Sequence, residues 1–190
     1  MPATALDPRT ALVVIDLQKG IAALPLVHPF AGVVANTRRL AEAFRRARLP
    51  VVLVNVAFSP DSADRLRNRA DLQVQIPASP DFAELVPELG AEPADLRITK
   101  RQPNAFYGTE LDLQLRRRQV TGIVLTGVST SIGVDGTARA AHERGYNLTF
   151  ASDATTDRDP AAYEFVTKKM LPRLGEVDTT DAILALVPRV

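Results

Sequence analysis

The sequence predicts an α/β domain built on a parallel β-sheet with helices on both faces. Three observations carry this. Short apolar, β-branched runs alternate along the chain with longer amphipathic stretches. The clearest of those runs are continuously apolar, as strands buried on both faces are, rather than alternating apolar with polar. At 190 residues and 46% hydrophobic, the chain has material for one core, and nothing marks a boundary or repeat, so residues 1–190 are expected to form a single domain.

The elements follow in order. Ala11–Ile15 (ALVVI) is the first strand, ending at Asp16. Val33–Ala47 is a helix with Val33, Leu40, Phe44 and Ala47 at helical spacing and Arg38, Arg39, Arg45 and Arg46 elsewhere. Val51–Val56 (VVLVNV), introduced by Pro50, is the second strand, and Leu96–Thr99 is a weak third. Seven of the fourteen prolines lie between Pro50 and Pro103, so Ser59–Pro93 is expected to be irregular, with one short helix near Phe82–Leu89. In Thr109–Arg118, Leu111, Leu113 and Leu115 alternate like a strand, but its place between two strands argues for a helix. Ile123–Thr126 (IVLT) is the fourth strand. Ser131–Arg144 follows as a helix with Val134, Ala138 and Ala141 on one face and Gly145 as its stop. Leu148–Ala151 is the fifth strand. Ala161–Leu171 is a helix placing Phe165, Val166 and Met170 on one side, Glu176–Asp178 is a sixth strand, and Thr180–Leu186 closes the chain as a short helix.

Composition removes several classes of function. Lys+Arg (23) and Asp+Glu (22) nearly cancel, without the basic excess of a nucleic-acid binder. With no cysteine there is no disulfide, thiolate zinc site, iron–sulfur cluster or cysteine nucleophile. The two histidines, His28 before Pro29 and His142 beside Glu143, are too few for a histidine cage and read as structural or solvated. No metal and no cofactor are therefore expected. The N-terminus lacks the pattern of a secretory signal, and no apolar run is long enough to span a membrane, so a cytoplasmic protein is expected. Its expected partners are a small-molecule substrate and copies of itself, as a dimer or tetramer, not nucleic acid or membrane.

In open parallel sheets, ligands bind beyond the carboxyl ends of the strands. Three such ends are suggestive: Asp16 with Gln18 after strand one, Lys100 after strand three, and Gly127–Gly133 after strand four. Each has a plainer reading. Asp16 fits a loop or helix cap, Lys100 a solvated charge, and Gly127–Gly133 a tight turn feeding a helix N-terminus able to hold an anion. The glycines match neither GxGxxG nor Walker spacing.

Together, ALVVIDLQKG, TKRQPNAFYGTELD, LTGVSTSIGVDGTARAAHERGY and FASDATTD resemble, in order and spacing, the signature blocks of the isochorismatase-like hydrolases of the cysteine hydrolase superfamily. The resemblance implies a Rossmann-like three-layer α/β/α fold with a six-stranded parallel sheet. It also implies a catalytic set of Asp16, Lys100 and the residue at position 133. Most of the superfamily has a nucleophilic cysteine there; this chain has Gly133, like the isochorismatases proper, which cleave a vinyl ether without a covalent intermediate. It implies a non-proline cis peptide at Val128–Ser129, aiming the following N–H groups at substrate. The substrate-binding set expected with these is Gln18, Phe106, Ser129, Thr130 and Ile132, the backbone N–H groups of Ile132 and Gly133 included. Asp16 would be the general acid, its pKa raised by burial against the opposing pull of Lys100. Isochorismatases proper carry a tryptophan- and glycine-containing segment with a substrate-binding Gln and Arg after strand two. The corresponding SPDSADRLRNRADLQVQ lacks that pattern but offers Arg65, Arg67 and Arg69. Two alternatives stand beside the vinyl-ether hydrolase: an amide or ester hydrolase using water directly with Asp16 as base, and a catalytically inactive binding protein. Retention of both Asp16 and Lys100 favours an enzyme.

Overall fold

The computed structural model of the chain describes residues 2–71 and 79–188. Six parallel strands form one sheet: β1 (Thr10–Ile15), β2 (Val51–Val56), β3 (Leu96–Lys100), β4 (Gly122–Val128), β5 (Asn147–Thr156) and β6 (Glu176–Asp178), ordered β3-β2-β1-β4-β5-β6. The chain winds outward from β1 to β3, crosses back to β4 and winds outward again. The winding direction therefore reverses between β1 and β4, the position at which open α/β sheets bind ligands beyond the carboxyl ends of the strands.

The apolar runs are explained by burial on both sides. Ala11, Val13 and Ile15 pack with Leu111, Leu115, Ala138 and Ala141 on one face, while Leu12 and Val14 pack with Val33, Leu40, Phe44 and Ile183 on the other. The second layer is α2 (Phe30–Arg46) with α6 (Thr180–Leu186). The first holds α3 (Leu111–Arg117) and α4 (Asp135–Glu143), with α5 (Pro160–Phe165) following β5. This is the three-layer arrangement expected. Local chemistry sets several helix starts: Asp159 accepts the N–H groups of Ala161 and Ala162 ahead of Pro160, and Thr179 accepts that of Ala182.

The differences from expectation have identifiable causes. The leucine alternation in α3 is helical after all: Leu111 and Leu115, four apart, are buried and Leu113 is 49% exposed. Strand β5 runs past Ala151 to Thr156 because a register shift between Leu125 and Gly127 lets its polar second half keep pairing with β4. The helix expected from Ser131 opens as a wide π turn over Thr130–Val134 before α4 begins. That expected from Ala161 leaves α geometry at Phe165, and Phe165 itself is exposed while Val166 is buried. A four-residue helix, α1 (Lys19–Ala22), was not anticipated. Near Phe82–Leu89 the only helical piece is a 3₁₀ turn at Pro87–Leu89. The residues before it hold Leu85 against Gln18 in an antiparallel bridge, while Phe82 abuts Gly20. Residues 72–78 of the proline-rich segment lie outside the described residues. Among the described residues, no helix is long and apolar enough to cross a membrane.

Candidate active site

Asp16 is the first residue beyond β1, where the winding direction reverses. Its φ is +53°, the left-handed region where non-glycine residues are uncommon but aspartate is tolerated. Its N–H donates to Val54 O at 2.9 Å, which pins the turn to β2. Lys100 ends β3, two strands away, and its long side chain spans β2 to donate from Nζ to Asp16 Oδ2 at 2.6 Å. Both residues are buried, at 5% and 2% exposure. The other oxygen, Oδ1, is buried without a hydrogen-bond partner among the described residues.

This geometry decides the conflict between burial and the lysine. Desolvation dominates, and against the charge and hydrogen bond of Lys100 it pushes the Asp16 carboxyl up to about 6. A buried acid titrating near neutrality with one free oxygen is suited to proton transfer.

Gly133 completes the set. A Cβ at that position would stand 3.5 Å from Asp16 Oδ2, 3.3 Å from Val128 O and 2.9 Å from Ile15 Cγ2. The residue facing the acid thus presents no side chain. The Val128–Ser129 peptide just upstream is cis, as the resemblance implied. Ser129 is half-buried, and its hydroxyl has no partner among the described residues, so it remains available to a ligand.

Four expected ligand-binding groups are otherwise engaged. Gln18 is fully buried; its Nε2 donates to Val56 O (3.0 Å) and Phe82 O (2.8 Å), and its Oε1 accepts from Val56 N (2.8 Å). It clamps the end of β2 to the Phe82 loop. The Thr130 hydroxyl is spent on Thr155 Oγ1 (2.7 Å) and Thr156 O (3.0 Å), buried in the joint between β4 and β5. The Ile132 N–H donates to Ser129 O at 3.2 Å, inside the π turn, while its side chain is exposed. Phe106 is a core residue: it is 5% exposed, tilted against Tyr146 at 5.9 Å between ring centroids, with the Arg144 guanidinium 4.9 Å over its ring.

Of the three arginines after β2, one turns inward. Arg65 lies over the Phe58 ring at 4.6 Å, and its Nε is buried with no hydrogen-bond partner among the described residues. Ion pairing of Arg101 with Asp64 (2.6 Å) and of Ser59 with Asp64 through hydrogen bonds ties this loop to the end of β3, beside Lys100. Asp157 is the residue that sequence reasoning left without a role. Its Oδ2 accepts the Ser131 N–H at 2.6 Å and so holds the π turn over β5; its place in the FASDATTD block was the available signal. His28 is structural: its N–H and Nδ1 both meet Thr156 Oγ1. Among the described residues, no group of three or more His, Cys, Asp or Glu is placed to hold a metal ion.

Comparison with known proteins identifies the family of the chain. Residues 10–182 match the isochorismatase domain model. The chain is 44% identical over 184 residues to the isochorismatase family protein YwoC of Bacillus subtilis strain 168, covering 94% of each. It superposes on the structure of an isochorismatase family protein from Burkholderia thailandensis with a TM-score of 0.93 and 44% identity, covering 96% of this chain and 97% of that one. N-carbamoylsarcosine amidase from Thermoplasma acidophilum is also similar, at 31% identity, 91% and 97% coverage and a TM-score of 0.73.

Proposed function

Because this chain belongs to the isochorismatase family of hydrolases, we propose that it hydrolyses a small carboxylated vinyl ether without a covalent intermediate, with Asp16 as the general acid. The observation that carries this reading is the glycine facing a protonatable acid. Position 133 offers no nucleophile, and the Asp16 carboxyl beside it titrates at about 6.

The chemistry follows from those groups. Asp16 delivers its proton to the terminal carbon of the enol ether, leaving an oxocarbenium-like carbon. Water adds to that carbon. The proton that water sheds on addition restores Asp16, and the hemiketal then loses the alcohol, which takes up the hemiketal hydroxyl proton, leaving pyruvate as the other product. The substrate carboxylate competes for Lys100, which weakens the hold of Lys100 on the carboxylate form of Asp16 and keeps the acid protonated. The guanidinium of Arg65, whose Nε has no partner among the described residues, is the second cation we assign to the same substrate group.

The alternative is direct hydrolysis of an amide by water, with Asp16 as base. The similarity to N-carbamoylsarcosine amidase favours it as the second reading. Mass spectrometry of the purified protein with isochorismate, N-carbamoylsarcosine and a panel of small amides tests both. On whichever substrate turns over, the pH profile separates the two roles. An acid of pKa about 6 predicts that kcat/KM falls about tenfold per pH unit above that value. A base of the same pKa predicts a rise through pH 6 to a plateau, and that result would overturn the vinyl-ether assignment.

Gly133→Cys supplies a further expected result. The new side chain fills the space beside Asp16 Oδ2 and forces Ile15 to yield, so turnover of the native substrate falls about tenfold or more. Gain of strong amidase activity with no such loss would make the glycine incidental.

A further inference from the structure

A cavity of about 720 Å³ lies at the opposite edge of the sheet from Asp16, at the amino ends of β1, β2 and β3. Arg9, Arg45, Arg48 and Arg118 line it, brought there by three separate segments: the approach to β1, the end of α2 and the end of α3. Among the described residues, only Arg45 of these four has acidic partners, a two-point contact with Asp95 (3.0 and 2.7 Å) and Glu92 Oε1 at 3.5 Å. Those contacts hold it as a fixed wall. The side chains of Arg9 and Arg48 meet no hydrogen-bond or ion-pair partner among the described residues, and that of Arg118 meets only Gln114.

We propose that this basal pocket binds a compact polyanion of the phosphate class, such as a phosphorylated small metabolite. Cations are favourable near helix C-termini without any ligand, and that effect must be weighed first. Four guanidiniums against Glu92 and Asp95 leave two positive charges, whereas the ends of α2 and α3 offset about half a charge each. A positive excess remains after the helices are satisfied. The volume is in the range of small-molecule sites, and guanidinium forks match phosphate oxygens two at a time. Arg48 adds an independent sign. Its φ is +56°, at the end of α2 where the backbone favours glycine, yet the residue is an arginine directed at the pocket.

The test is isothermal titration of the full chain with sodium pyrophosphate at ionic strength held constant with sodium chloride. One saturable site is expected, weakened about tenfold or more in the Arg9→Gln/Arg48→Gly double variant and unchanged in Lys100→Met. Arg48→Gly alone should weaken binding without lowering the melting temperature, because glycine suits that backbone, so lost binding is not lost fold. The proposal is overturned if the wild type shows no saturable binding, if the double variant binds as the wild type does, or if Lys100→Met abolishes binding.

Discussion

Asp16→Asn should lower turnover by about 10²–10⁴-fold while the protein still folds, the range expected for loss of a positioned general acid. Asparagine is isosteric and keeps an oxygen for the Lys100 Nζ donor now 2.6 Å from Oδ2, but it has no proton to give. The variant does leave Lys100 buried without its counter-charge, an arrangement that destabilises proteins by about 3–5 kcal/mol when one partner of a buried pair is removed outright. A thermal melt recorded beside the kinetics therefore separates unfolding from lost chemistry. Lys100→Met gives a readout that packing alone would not move. Removing the group that lowers the Asp16 pKa raises that pKa, so the fall in kcat/KM should begin at a higher pH than in the wild type. Near-wild-type turnover in Asp16→Asn would take Asp16 out of the mechanism.

Gly127→Ala should be the most damaging single substitution in the framework of the site. Gly127 is opposite Ile15 in the pairing of β4 with β1, one residue before Asp16. Its φ is +120°, and a Cβ there would stand 2.0 Å from Ile15 O and 2.7 Å from Ile15 N. Those atoms are backbone in the central strand pair and have nowhere to go. A loss of about 4 kcal/mol or more is expected, a large part of the roughly 5–15 kcal/mol that holds a domain folded. Chemical denaturation checks it. A variant with the wild-type midpoint would mean that β1 and β4 pair less tightly than the structure has it.

How much was legible in the sequence depends on the range of the interaction involved. The sheet was legible because burying a strand on both faces demands an unbroken apolar run, and ALVVI, VVLVNV and IVLT each state that locally. Local chemistry likewise announced α2, α4 and α6. The polar half of β5 was illegible: Ser152 and Asp153 interrupt the apolar run, and only the bulge against β4 lets the strand continue to Thr156. The exposure of Phe165 was lost for a similar reason, since the helix leaves α periodicity at that residue.

Of the site, the sequence by itself determined which residues end the strands: Asp16 after β1, Lys100 at the close of β3, and Gly133 in the turn after β4. Only the tertiary structure decided what those residues are to one another. Asp16 and Lys100 are 84 positions apart in the chain, and the ordering of β3, β2 and β1 is what lets the lysine reach the acid. The same holds for the groups that proved unavailable. Gln18, Thr130 and the Ile132 N–H look like ligand-binding groups in sequence, but their hydrogen bonds go to Val56, Phe82, Thr155, Thr156 and Ser129. A polar group's identity is written in the sequence, but its free valence is settled by whichever partners the packed chain brings within hydrogen-bond distance. A carboxylate's pKa is settled in the same way, because the water removed from around Asp16 and the charge placed beside it both come from residues distant in the chain.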